Sequence, residues 1–280
     1  MFARVLNLTT SHMPSAARIF TPRSAMLIFW LSVQEIIEYR FDFFMRTIKY
    51  SIMVSLMSFV WLSVGKEGAL DFSPTQTVQY FFLGALIYSL SNFHPYEIEE
   101  DIKYGGLSKY LVRPLHPFTY HFWKQSAIAS LETLVKSLVI IPLLYFMGFA
   151  LNFSFSHTLF FVFYLPFIFW YSFHQLSVIS LLSFWISEAW AIRWASTSIM
   201  RLLSGMLVPI VFFPQAVQNI LFWLPYQHLA YTPIAIMQQK MTLLQALPSF
   251  GVLLVWCVLI WMLKEFIWFK GLQRYESNGG

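Results

Sequence analysis

Cysteine, charge and enzyme motifs are what this sequence has least of. Its single cysteine, Cys257, lies in the last apolar segment. One cysteine excludes an internal disulfide framework and a cysteine-based metal site, and Cys257 reads as a small buried hydrophobe. Charged residues make up 11% of the 280, against roughly 25% in a soluble domain, so the main solvent of this chain is lipid. Lys and Arg outnumber Asp and Glu by 18 to 13, yet they form no run and lie between apolar stretches, which excludes a nucleic-acid-binding surface. Of the histidines only His116 and His121 are close in sequence, and their spacing is one longer than that of a helical metal pair. There is no H-E-x-x-H and no G-x-S-x-G. A phosphate-binding G-x-x-x-x-G-K-[ST] is missing too: the Gly65-Lys66 pair has Val60 where the first glycine belongs and Glu67 after the lysine. A membrane enzyme is therefore the weakest reading, and any ATP-driven work requires an ATPase on another chain.

Long apolar stretches are what the sequence does have. Hydrophobic residues make up 58% and aromatic residues 20%. A helix needs about 20 mostly apolar residues to cross the hydrocarbon core, and six segments qualify: 47–64, 77–93, 126–149, 157–184, 194–213 and 244–264. The fifth is the weakest, because it carries Arg201, Ser204, Gly205 and Pro209. Backbone amides in lipid must be satisfied within their own segment, so the spans are helices. The expected fold is an all-α integral membrane protein with six transmembrane helices. Basic residues favour the cytoplasmic side. With the N-terminus inside, thirteen of the 18 basic residues fall on inner segments, and only Lys66 and Lys240 fall on outer loops. Both termini are thus expected in the cytoplasm of a multi-pass cell-membrane protein. Residues 1–23 lack the apolar core of a signal peptide and read as a cytoplasmic extension, 24–270 as the transmembrane domain and 271–280 as a cytoplasmic tail.

Three segments do not span. In 24–46, Trp30, Val33, Ile37, Phe41 and Phe44 recur at helical spacing, and Glu35, Glu38 and Asp42 form a second stripe. This predicts an amphipathic helix along the inner interface, with an acidic stripe suited to a basic protein surface. The stretch "EIEEDIKYGGLSKYLVRPLHP", 97–117, crowds Glu97, Glu99, Glu100 and Asp101 at the positive end of a helix dipole. Gly105-Gly106 stops that helix, and a short second piece, 107–112, ends where Arg113 precedes Pro114. Short helices with firm stops make good knobs for a partner's groove, so this hairpin is expected to dock another protein. Outside, Pro214, Pro225 and Pro233 divide 214–240 into pieces too short to cross. They are expected to re-enter the outer leaflet, to bury Phe222, Trp223 and Leu229, and to cap a cavity.

Charges inside the spans also need an account. Glu132 and Lys136 stand four apart, in the order that favours pairing on one helix face, and they should face protein or water. They are either a polar patch in a translocation pathway or a structural pair. Arg201 could snorkel inward or join them. His174, near mid-span, reads first as an interhelical hydrogen-bond donor.

The segment "EYRFDFFMR", the "GGLSKYLVRPLHP" after the second span and "SGMLVPIVFFPQAVQNILFWLPYQHLAYTP" before the last together resemble the permease subunits of ABC exporters. The likeness is to the ABC-2 type, in its subfamily of six-span "ABC-2 family transporter" proteins, and covers residues 24–270. Arg113-Pro114-Leu115, and the series Ser204-Gly205, Pro209, Phe213-Pro214 and Leu224-Pro225, carry most of it. The resemblance implies a permease that works with a separate nucleotide-binding ATPase subunit and a second permease subunit, identical or closely related. Such a complex moves a drug, lipid, peptide or glycan out of the cytoplasm. It implies that ATP and magnesium sit on the partner, with no cofactor on this chain. It makes 94–114 a coupling helix, and places the ATPase contact on Glu97, Glu100, Asp101, Lys103, Gly106, Leu107, Leu111 and Arg113. The amphipathic helix braces that contact through Glu35, Glu38, Tyr39, Arg40 and Asp42. Glu132, Lys136, His174 and Arg201 remain as polar residues of a possible pathway. "HPFTYHF" at 116–122 departs from the pattern in being rich in histidine and aromatics. A secondary transporter or channel is the alternative, although a proton-coupled carrier would place acids in several spans.

Overall fold

Long apolar stretches become long helices only where no break at glycine or proline interrupts them. The computed structural model describes residues 22–65, 73–91, 96–111, 116–149, 154–186 and 188–275. Among these residues all regular structure is helical: α1 (Pro22–Glu38), α2 (Arg40–Gly65), α3 (Pro74–Ser91), α4 (Tyr96–Lys103), α5 (Ser108–Leu111), α6 (Pro117–Phe146), α7 (Phe155–Leu181), α8 (Trp190–Leu203), α9 (Gln215–Trp223), α10 (Tyr226–Leu229), α11 (Tyr231–Met237) and α12 (Leu243–Leu272). Four helices, at Arg40–Ser63, Pro117–Phe146, Phe155–Phe184 and Leu243–Leu272, are long and apolar enough to cross a membrane. At about 1.5 Å per residue, the 30 residues of α6 or α12 reach about 45 Å, longer than the hydrocarbon core of about 30 Å.

The two remaining expected spans take other forms. Of the stretch 77–93, the described residues 77–91 lie in α3, which has 18 residues and is buried on every side from Thr77 to Ser91. It packs against α2, α6, α7 and α11, so protein rather than lipid surrounds it; Ser89 accepts from Lys136 of α6, Gln79 donates to the Phe149 carbonyl just past α6, and Ser91 donates to the Ile87 carbonyl of its own helix. The stretch 194–213 is not one helix. α8 stops at Leu203, and Gly205 takes φ +85°, a left-handed conformation that glycine adopts without penalty. Tyr80 Oη donates to the Gly205 carbonyl at 2.7 Å, which fastens the break to α3.

Beyond that break the chain runs as short pieces. α9, α10 and α11 are separated at Leu224-Pro225 and at Ala230. Pro233 sits in the first turn of α11, where its missing N–H does no harm, so Ala230 rather than Pro233 makes the second break. Leu229 is buried as expected and Phe222 partly so, but Trp223 is 70% exposed. Leu221 takes the inward position of α9, and a residue two places on in a helix faces away from it.

The segment 24–46 also divides. α1 ends at Glu38, Tyr39 forms a turn, and Arg40 and Asp42 open α2. α1 lies against α6 through Ala25, Ser32 and Val33, while Trp30, Ile37, Phe41 and Phe44 are exposed. Val33 therefore leaves the apolar set it was expected to share and joins the packed face.

Candidate functional site

The charged hairpin is α4, a two-glycine turn and α5. Gly105 at φ +76° ends α4, and the Leu107 amide donates to the Asp101 carbonyl at 2.9 Å, folding α5 back on α4. The glycine beside it is needed for closeness: a Cβ on Gly106 would lie 2.4 Å from Asp101 Oδ1. Ile98, Ile102, Leu107 and Tyr110 form the inward face and are buried.

That fold splits the expected docking residues into two sets. Leu107 is fully buried, and Asp101 is buried and ion-paired to Lys109 at 2.7 Å. Lys103 pairs with Glu99 at 2.6 Å, and Gly106 is occupied by its approach to Asp101. What remains for a partner is the edge made by Glu100, Tyr104, Ser108 and Lys109, all exposed, with Tyr104 at 80%. The Leu111 side chain and Arg113-Pro114-Leu115 lie outside the described residues.

The other side of the hairpin is held by ions from three helices. Lys124 of α6 reaches Glu97 at 2.8 Å and Glu35 of α1 at 3.4 Å, so one ammonium joins α1, α4 and α6. His121, also on α6, places Nδ1 3.3 Å from Glu97 and Nε2 3.2 Å from Tyr110 Oη. The His121 contact, followed by the Lys124 ammonium, holds the Glu97 carboxyl down at about 2, against partial burial that would raise it. Burial pushes the Tyr110 phenol up. On the third side, Arg193 of α8, 4% exposed, is ion-paired with Glu99. The hairpin is thereby tied both to the long helix α6 and to the helix that leads into the Gly205 break.

Sequence reading assigned no role to His121, Lys124 or Arg193. Two signals pointed that way. The histidine-rich 116–122 stretch stood out, and Arg193 sits between Trp190 and Trp194 in a helix whose neighbours are apolar.

The brace residues fare unevenly. Glu35 meets Lys124, and Asp42 pairs with Arg46 at 3.1 Å. Glu38, Tyr39 and Arg40 are exposed.

Within the bundle, Lys136 lies 3.2 Å from Glu132, as their spacing predicts, and donates to Ser89 Oγ of α3 at 2.6 Å. Arg46 of α2 adds a second cation 3.6 Å from Glu132. Three helices thus meet on this one polar group, and Lys136 is 2% exposed. Arg201 does not join it; its guanidinium donates to Tyr88 Oη and lies over the Tyr88 ring at 4.8 Å. His174 does not join it either. Its Nδ1 lies 2.8 Å from the Trp170 carbonyl of its own helix, and a carbonyl only accepts, so that nitrogen carries the proton. Among the described residues no group of three or more His, Cys, Asp or Glu could hold a metal ion.

A family model described as "ABC-2 family transporter protein" matches residues 50–279. No curated protein and no solved structure matches.

Proposed function

The chain belongs to the ABC-2 family of transporter proteins, whose members are permease components of ABC systems, and from this we propose that it is the permease subunit of an ATP-driven exporter. In this reading both termini face the cytoplasm of the cell membrane. α3, together with the α8 to α11 segment, completes six membrane passages. A separate ATPase subunit docks on the α4–α5 hairpin, and a second permease subunit completes the pathway.

One observation carries the reading. A short hairpin presents Glu100, Tyr104, Ser108 and Lys109 outward, while its other face is pinned to α1, α6 and α8 by Lys124 and Arg193. A force applied to the outer edge cannot move the hairpin without moving those helices. When the motor subunits close on ATP, the hairpin and α1 shift together, and α6 and α8 tilt as rigid bodies. α8 ends at the Gly205 break, so its tilt displaces the α9–α11 cap and opens the outward route.

The test changes the outer edge alone, because reversal at Asp101 would also break its internal pair with Lys109. Glu100→Lys with Tyr104→Ala is expected to abolish recovery of an ATP-binding subunit with the tagged full chain from native membranes, and to abolish ATP-dependent transport, at unchanged membrane content. Equal recovery of the ATPase would refute the docking site.

A further inference from the structure

A second site lies where three of the long helices end. The start of α6, the end of α7 and the end of α12 meet there through ring contacts of Trp268 with His116, Phe118 and Phe184. Just above these rings opens a crevice of about 440 Å³, within the range of about 300–1,000 Å³ of small-molecule sites. Its charged residues are Lys264 and Glu265, and its walls include Phe122, Trp170 and Trp261. Trp170 is 38% and Trp261 39% exposed, so the crevice opens sideways, toward lipid, rather than into the bundle.

Its depth can be measured along two helices. From Leu243 to Leu263 α12 carries no charge, a run of about 31 Å at helical rise, which matches the hydrocarbon core of about 30 Å. Lys264 follows at once. Along α7, His174 lies about 29 Å from Phe155 by the same rise, which puts it near the end of the hydrocarbon core rather than at the mid-span depth expected from the sequence. Both rulers put the crevice where the hydrocarbon ends and the head groups begin, on the side of the C-terminus. In the orientation proposed above this is the inner leaflet.

The chemistry is of two signs. Lys264 is 3% exposed, lies 4.4 Å over the Phe118 ring and pairs with Glu265 at 2.6 Å. An ammonium has three N–H donors, and Glu265 is its one carboxylate partner among the described residues. Glu265, at 35% exposure, keeps acceptor capacity toward the opening, since an ionised carboxylate accepts on both oxygens. The other titratable groups facing the crevice are His116 and His174. Burial first, and Lys264 second, hold the His116 imidazole at about 4, so it is neutral at neutral pH. A ligand with only negative charge would bind Lys264 but meet the Glu265 carboxylate. A ligand carrying both a phosphate and an ammonium satisfies both, and Trp170 and Trp261 line the same opening, aromatic neighbours of the kind an ammonium favours.

We propose that this crevice binds the head group of a zwitterionic phospholipid of the phosphatidylethanolamine class, with its phosphate on Lys264 and its ammonium on Glu265 between Trp170 and Trp261. The acyl chains then run along the exposed faces of α6 and α12 into the leaflet. The site does not need the ATPase or the transport reading. It rests on that reading only for which leaflet it faces.

The experiment uses the full chain in detergent micelles, titrated separately with phosphatidylethanolamine, phosphatidylglycerol and inorganic phosphate, with retained lipid read by native mass spectrometry. Phosphatidylethanolamine is expected to be held about tenfold more tightly than phosphatidylglycerol, which is about 1.4 kcal/mol. Lys264→Met is expected to lower retention of both lipids about tenfold or more, and Glu265→Gln to reduce phosphatidylethanolamine to the phosphatidylglycerol level. Because Glu265→Gln is nearly isosteric and partly exposed, it carries the test if Lys264→Met does not fold. Equal retention of the two lipids, retention unaffected by both substitutions, or displacement of lipid by millimolar inorganic phosphate would each overturn the proposal.

Discussion

Arg193→Met should loosen the hairpin while leaving the bundle intact. The Arg193 side chain is 5% exposed and that of Glu99 8%, so the pair sits out of water. Removing one member of a buried pair costs about 3–5 kcal/mol, mostly because the remaining charge is left buried without compensation. Lys103 stays 2.6 Å from Glu99 and is itself only 24% exposed. It retains part of the compensation and puts the expected cost at the low end, about 3 kcal/mol. At 1.4 kcal/mol per decade this is roughly a hundredfold in the ratio of docked to undocked hairpin. Hydrogen–deuterium exchange of the full chain in nanodiscs reads that ratio directly, because local opening sets the exchange rate of the amides it exposes. Peptides covering 96–111 should exchange roughly a hundredfold faster, and those covering α3 should not change. Adding Glu99→Gln removes the stranded charge, so the double variant should recover most of the lost protection. Unchanged exchange over 96–111 in Arg193→Met, or a double variant no better protected than the single, would refute the idea that this pair anchors the hairpin.

Three further outcomes follow from particular contacts. Gly205→Ala places a side chain at φ +85° with Cβ 2.8 Å from Tyr80 Oη; the same exchange stabilises by up to about 1 kcal/mol where the backbone suits alanine, whereas here it should destabilise by more than that and lower the melting temperature in detergent, and an unchanged melting curve would remove the break from the account. Lys136→Met leaves Glu132, whose side chain is 15% exposed, with the more distant Arg46 as its one cation partner among the described residues, so it should destabilise by about 3 kcal/mol; combined with Glu132→Gln the loss should largely disappear, and equal melting of single and double variants would count against a shared polar group. The Glu97 carboxyl is depressed from the ordinary 4.5 to about 2. A depressed acid stabilises above its unfolded pKa and loses that contribution as pH falls through the folded one, so the Glu97 share of the exchange protection at the α1–α4–α6 junction, read as the difference between the native chain and Glu97→Gln, should fade as pH falls from the ordinary 4.5 toward about 2. A difference that stays constant throughout that fall would contradict this.

What the linear sequence settled is what depends on near neighbours. Apolar run length alone identified α2, α6, α7 and α12, because a helix must satisfy its own backbone in lipid wherever its neighbours lie. Glycine at 105 stopped α4, and prolines near 214 and 225 cut the outer segment into pieces, because φ restrictions act within a residue or two. Glu132 and Lys136 paired because four residues bring side chains onto one helix face. Tertiary structure decided everything that joins distant positions. Nothing local to Lys124 says that it will meet Glu35 and Glu97, nor does anything near Arg193 point to Glu99. Those pairs exist because the bundle brings α1, α4, α6 and α8 to one end. For the same reason Asp101 and Leu107 turned inward and left Glu100 and Tyr104 as the outer edge. Periodicity says which residues share a face, but only packing says what that face meets.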